Sequence, residues 1–218
     1  MNQESKKPTG REVGDRQADN SPKAMVPLFW SVGERPCLVV GGGRVACRKV
    51  RWLLECGAAV QVVAPRIEPD LRTLQRAQPE RLRLCREAYD QRKWRLAEFA
   101  LVLVACGEDA VNRQIHREAK AAGVPLNVAD IPELCDFHVP ATVHRGSLRI
   151  AIGTGGRCPG LAGHLRRKLD AELSPKYAEL ADKLSAERIR LREQPGTTAA
   201  QRHSAMRDFL EKLLLECE

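Results

Sequence analysis

Gly41-Gly42-Gly43-Arg44-Val45-Ala46 is the first run in this chain whose residue types and spacing suit a chemical task. It follows the apolar Cys37-Leu-Val-Val40 and fits G-x-G-x-x-A at a strand-to-helix turn. In such a turn Gly41 permits the tight bend, Gly43 lets the backbone approach a pyrophosphate, and Ala46 leaves room for close helix–strand packing. The helix amino terminus that follows offers N–H donors and the positive end of its dipole to phosphates. Dinucleotide binding is the chemistry indicated; a merely structural glycine turn is the plain alternative. One companion feature is missing. The second strand should end in an Asp or Glu for the ribose hydroxyls, and Ala64-Pro65-Arg66 stands there instead. Arg66 suits either a 2′-phosphate, as in NADP, or a place beside the adenine, so these residues do not separate NAD from NADP.

Two later stretches could act on a substrate. Asn127-Val128-Ala129-Asp130 ends an apolar run, and ligands of open α/β sheets bind outside the carboxyl ends of the strands. Asp130 is therefore a candidate catalytic carboxylate, weighed against an Asp that caps a turn before Pro132. Thr154-Gly155-Gly156-Arg157-Cys158-Pro159 joins a strand to a helix, and consecutive N–H groups at a glycine-rich helix start make an anion site. Thr154, Gly155, Gly156 and Arg157 are the substrate-binding candidates, with Arg166, Arg167 and Lys168 nearby in sequence. A solvated basic face is the competing reading of those cations. His138 and His144 are too few for a metal site, and no metal-ligand pattern accompanies them.

The elements that must hold these residues alternate. Strands are expected at Cys37–Val40, Val60–Ala64, Arg81–Cys85, Phe99–Ala105 and Pro125–Ala129, with helices at 45–55, closed by Gly57, and at 110–122, closed by Gly123. That alternation predicts an α/β fold, a Rossmann-like parallel sheet with helices on both faces. From Phe137 the rhythm changes. Phe137–Thr142 and Leu148–Gly153, joined near Arg145-Gly146, predict an antiparallel hairpin. Helices are expected from Cys158-Pro159, from Ser174-Pro175 to just before Pro195-Gly196, and over Met206, Phe209, Leu210, Leu213 and Leu214. The organisation expected is a disordered polar tail (1–24), a NAD-binding Rossmann-like domain (25–130), a dimerisation hairpin segment (131–158) and a small helical domain (159–218).

Composition narrows the partners. A chain of 218 residues, 43% hydrophobic and 29% charged, belongs with soluble globular proteins. The longest apolar run, Phe99 to Cys106, falls well short of the ~20 residues of a membrane span. No apolar leader opens the chain, so a cytoplasmic protein is expected. The net charge of +8 favours anionic partners. Aromatic residues at 4% offer few stacking platforms, which argues against nucleic acid. Eight cysteines without a CxxC pair read as buried or incidental thiols rather than a zinc or disulfide framework.

Taken together, the motifs resemble the precorrin-2 dehydrogenase/sirohydrochlorin ferrochelatase family of siroheme biosynthesis, which includes the amino-terminal module of siroheme synthase. The resemblance rests on 37–46, Arg48-Lys49, 104–112 (Val-Ala-Cys-Gly-Glu-Asp-Ala-Val-Asn), 127–130 and 152–159 (Ile-Gly-Thr-Gly-Gly-Arg-Cys-Pro), and runs from about Val26 to Pro195. It implies NAD-dependent oxidation of precorrin-2 to sirohydrochlorin and, in some members, Fe²⁺ insertion. NAD contacts are implied at Arg44, Val45, Pro65 and Arg66, and the catalytic aspartate at Asp130. A homodimer is implied too, paired through the segment after Asp130, with the helical domain closing over the tetrapyrrole. Thr154 stands where siroheme synthases often have Ser. With the chain ending at Glu218, a standalone enzyme without a methyltransferase domain is expected. Two rivals are a noncatalytic NAD-sensing Rossmann module and a basic nucleic-acid-binding protein. The sensor needs neither a carboxylate at 130 nor a second basic glycine turn.

Overall fold

A computed structural model describes residues 25–215; the tail expected at 1–24 and Cys217 lie outside the described residues. Five short, apolar segments line up in parallel: β1 (Pro36–Val40), β2 (Ala59–Val63), β3 (Leu82–Cys85), β4 (Leu101–Val104) and β5 (Leu126–Val128). Their order across the sheet is β3-β2-β1-β4-β5. The inner strands are apolar on both faces because both faces are covered. Val39, Val62 and Leu103 face α1 (Arg44–Glu55) and α2 (Pro69–Ala77). Leu38, Val63, Val102 and Leu126 face α3 (Asp109–Ala122). On α1, Ala46, Cys47, Val50, Leu53 and Leu54 are buried, a stripe at helical spacing. Each large side chain among them contributes about 1.5–3 kcal/mol by leaving water. The glycine stop after α3 is as expected: Gly123 closes it at φ 66°, left-handed.

Three local features differ from the sequence reading. Helix α2 was not foreseen: of its nine residues only Leu71 is buried, so no apolar stripe announces it. Strand β4 starts at Leu101 rather than Phe99, because the Phe99 N–H closes a 3-10 turn onto Leu96. The run expected to be extended from Phe137 becomes a strand only at Ala141. The preceding residues have another task, since β5 is an edge strand. Asp136 donates its N–H to the Leu126 carbonyl (2.8 Å) and accepts the Leu126 N–H on its carboxylate (3.1 Å). The Val128 N–H donates to Cys135 Sγ at 3.2 Å. A looped segment thus satisfies the edge that would otherwise be open to another strand.

The hairpin follows as expected. Strands β6 (Ala141–Arg145) and β7 (Leu148–Ile152) are antiparallel, with Arg145 opposite Leu148. The two-residue loop needs a left-handed Gly146 (φ 59°), and a Cβ there would press on Ala178 at 2.9 Å. Helices α4 (Pro159–Glu172), α5 (Lys176–Glu193) and α6 (Ala199–Leu215) complete the described chain, α4 opening at Pro159 and α5 directly after Pro175. Among the described residues no helix is long and apolar enough to cross a membrane.

Arg145 ties the hairpin to α4. Its guanidinium donates to the Leu173 carbonyl (3.0 Å), the Asp170 carbonyl (2.6 Å), the Asp170 carboxylate (3.0 Å) and the His144 carbonyl (2.8 Å). The side chain is 17% exposed, so these bonds are poorly replaced by water. Arg145→Ala is expected to destabilise the chain by about 2–4 kcal/mol in a denaturant titration, since hydrogen bonds to charged groups carry ~1.5–3 kcal/mol each and are not additive. Arg145→Lys should recover little, because a lysine lacks the planar fork that reaches several acceptors. Stability unchanged in Arg145→Ala would show the clamp to be dispensable.

Candidate dinucleotide and substrate site

The chain reverses direction across the sheet between β1 and β4, the switch point where ligands of such sheets bind. The glycine turn is wedged there. Gly41 adopts φ 126°, and a Cβ on it would collide with the Ala105 carbonyl at the end of β4. Gly42 is equally tight on the other side: its Cβ would strike the Arg66 carbonyl and meet Ala64 Cβ at 2.9 Å. The Glu68 N–H donates to the Gly42 carbonyl at 2.9 Å, so the turns after β1 and β2 are bonded together. Gly42 occupies a variable position of the motif, and sequence alone did not single it out. Gly43 is different. It is exposed, its backbone is extended, and nothing lies within 4 Å of where a Cβ would sit.

Helix α1 opens at Gly43 with no side-chain cap and no acidic residue in its first turn. Its leading N–H groups are left for an anion, and its own first turn carries no carboxylate to oppose one. Arg44 is exposed and Val45 half-buried; Pro65 and Arg66 are exposed on the adjoining turn. Arg86, at the end of β3, steadies that turn by donating to the Pro65 carbonyl at 3.4 Å. These residues fit a dinucleotide whose pyrophosphate crosses in front of Gly43.

Asp130 lies just past the carboxyl end of β5, on the same end of the sheet as the glycine turn. It is exposed and left-handed, with φ 62°. Both sequence readings meet here, since it is a turn residue and also presents an exposed carboxylate. Below it a buried Asn127 holds the turn: its Nδ2 donates to the Phe137 carbonyl at 2.9 Å, and its Oδ1 accepts from Lys49 Nζ at 2.6 Å. Lys49, on α1, was part of a matched stretch but not a site candidate. Burial pushes its ammonium below the usual lysine range, while Cys135 and Asp130 pull it back up.

The second glycine turn is folded on itself. Thr154 Oγ1 accepts the Cys158 N–H at 3.2 Å, and the Thr154 carbonyl accepts the Arg157 N–H at 3.1 Å. Gly155 and Gly156 are both left-handed, and a Cβ on Gly156 would run into the His138 ring, 2.5 Å from Cε1. The turn therefore packs on the segment that follows Asp130. The basic cluster separates into two kinds. Arg166 pairs with Asp170 (3.4 Å) and Lys168 with Glu172 (3.9 Å) along α4, a solvated face as charge runs usually are. Arg157 and Arg167 form no ion pair among the described residues.

Residues 28–141, about half the chain, match a family described as "Putative NAD(P)-binding". The chain belongs to this NAD(P)-binding family. The matched span takes in the glycine turn, the turn after β2 and Asp130. Among curated relatives, the siroheme synthase of Methylobacillus flagellatus is 37% identical over 193 residues, 88% of this chain and 40% of the relative. That of Nitrosomonas europaea is 36% identical over 78% of this chain and 35% of the relative, and that of Ectopseudomonas mendocina 40% identical over 72% and 33%. The chain thus spans well under half the length of these relatives. A solved structure titled "SirC, precorrin-2 dehydrogenase" superposes with a TM-score of 0.67 and 25% identity, covering 84% of this chain and 88% of that one. The resemblance to siroheme-biosynthesis proteins read from the motifs is borne out, and the NAD(P)-binding match supports the expected use of NAD.

Proposed function

We propose that this chain oxidises precorrin-2 to sirohydrochlorin with NAD, Asp130 acting as the base. The observation that carries the reading is an exposed carboxylate at the carboxyl end of β5, on the same end of the sheet as a glycine turn suited to a dinucleotide. Kinship with siroheme synthases and likeness to SirC supply the substrate class.

Bound NAD supplies an acceptor for the hydride that leaves the substrate. The chain's own residues do the rest. Gly43 and the first N–H groups of α1 hold the pyrophosphate, while Arg44, Val45, Pro65 and Arg66 flank it. Asp130 takes up the ring proton that departs with the hydride, so two hydrogens are removed in all. The substrate carries eight carboxylates. Thr154, Gly155, Gly156 and Arg157 meet them, with backbone N–H groups and a guanidinium that has no ion pair among the described residues, groups that suit such anions. The chain's positive charge favours their approach. Metal insertion would use the same aspartate, accepting pyrrole protons as Fe²⁺ replaces them. Pairing of two copies through the segment after Asp130, in the cytoplasm, belongs to the same reading; among the described residues no further strand pairs with the β6–β7 sheet.

The test is direct. Incubated with precorrin-2 and NAD, the chain should produce the absorbance of sirohydrochlorin together with that of NADH. Sirohydrochlorin with Fe²⁺ or Co²⁺ should then report on metal insertion separately. NAD binding with no oxidation would overturn the enzyme and leave the sensing module standing.

A further inference from the structure

Lys49 is one turn into α1, half-buried beneath the sheet end that carries Asp130. A lysine placed there loses hydration, and the position would suit an apolar residue better unless the charge has a task. Its Nζ makes one hydrogen bond among the described residues, the 2.6 Å contact to Asn127 Oδ1. Asn127 is itself 7% exposed and is the only polar side chain of β5. Its Nδ2 reaches the Phe137 carbonyl at 2.9 Å and Cys135 Sγ at 3.5 Å. Cys135 Sγ in turn donates to the Val128 carbonyl (3.1 Å) and accepts the Val128 N–H (3.2 Å). One chain of contacts thus runs from α1, through β5, to both ends of the loop that begins at Asp130.

That loop needs holding. Asp130 adopts φ 62°, a conformation that L residues other than Asn and Asp rarely accept. The one backbone bond across its turn is long, Ile131 N–H to the Val128 carbonyl at 3.5 Å. Beyond it the Ile131 carbonyl accepts the Leu134 N–H (3.1 Å) and Cys135 Sγ (3.3 Å), so the turn leans on Cys135 and on the Asn127 amide that bonds it. We propose that Lys49 is a positioning residue for Asp130, fixing the turn through Asn127 so that the carboxylate stands at the cofactor edge. The ammonium touches neither substrate nor cofactor in this role. It acts through the asparagine, and it links the helix that receives the pyrophosphate to the strand that carries the base. A shift in one is thereby felt by the other.

The proposal rests on the reading of Asp130 as the base, and two measurements keep the two claims apart. The first needs no turnover: amide exchange in the full chain. Lys49→Met orphans Asn127 Oδ1, so exchange across residues 128–137 should accelerate by at least about tenfold, a local opening. Exchange in α5 and α6 should stay as in the wild type. The second is kinetic. Turnover of precorrin-2 should fall about 10–100-fold, the scale of a misplaced reacting group. NAD affinity should stay within about threefold, a small change in binding free energy. Lys49→Arg should restore part of the turnover. Asn127→Leu breaks the same link from its other end and should reproduce the pattern, which covers the case of Lys49→Met failing to fold. Wild-type exchange across 128–137 in both variants overturns the proposal whatever the activity. So does a fall in turnover matched by an equal fall in NAD affinity. A fully active Asp130→Asn variant would sink the assignment of the base, and the exchange data would still decide the role of Lys49.

Discussion

Asp130→Asn is expected to bind NAD as the wild type does and to oxidise precorrin-2 about 10²–10⁴-fold more slowly, the usual contribution of a general base. Asparagine is the informative replacement because of the backbone. At φ 62° an Asn keeps the left-handed turn, whereas Ala would strain it and mix a structural loss with a chemical one. Asparagine has nearly the shape of Asp and cannot accept the departing proton. The measurement is a steady-state rate with saturating NAD, beside a calorimetric NAD titration. If metal insertion occurs in the wild type, it should fall in the same variant, because the proposed mechanism has both reactions release protons to one carboxylate. Loss of oxidation alone would assign the two reactions to different bases. Full activity in Asp130→Asn would leave Asp130 as a turn residue only.

Gly43→Val is expected to weaken NAD by well over about tenfold, more than 1.4 kcal/mol of binding free energy, in a chain that stays folded. The reasoning depends on which glycine is chosen. Gly43 has an extended backbone that any residue adopts, and a side chain there meets open space. The valine would project into the path of the pyrophosphate and crowd the first N–H groups of α1. Gly41 and Gly42 cannot serve as controls for binding, since a side chain on either collides with the backbone of Ala105 or Arg66. Substitution there should cost the fold before it costs affinity. Thermal unfolding near the wild-type midpoint, with NAD affinity reduced, is the result anticipated for Gly43→Val. Unchanged affinity would place the cofactor elsewhere. The same titration with NADP addresses the choice that Arg66 leaves open.

The residue order by itself determined the parallel sheet, the helix stops at Gly57 and Gly123, the hairpin around Gly146 and the first glycine turn. These are local matters: an apolar run of strand length, a helical stripe or a left-handed glycine announces itself within a few residues. Asp130 could be placed at a strand end for the same reason. The tertiary structure decided what depends on neighbours far away in the chain. Helix α2 buries only Leu71 fully, with Leu74 packed partly beside it, too little for periodicity to register. The residues before β6 are drawn off to cover the edge of β5, a demand set by that strand's place in the sheet. Gly42 reads as a free position until Arg66 is packed against it. Arg166 and Lys168 each take a carboxylate delivered by helical spacing, while Arg157 has none among the described residues. The link between Lys49 and Asn127 spans 78 positions. No local pattern encodes such a pair, because only the stacking of α1 on the sheet brings an ammonium within hydrogen-bond reach of a buried amide.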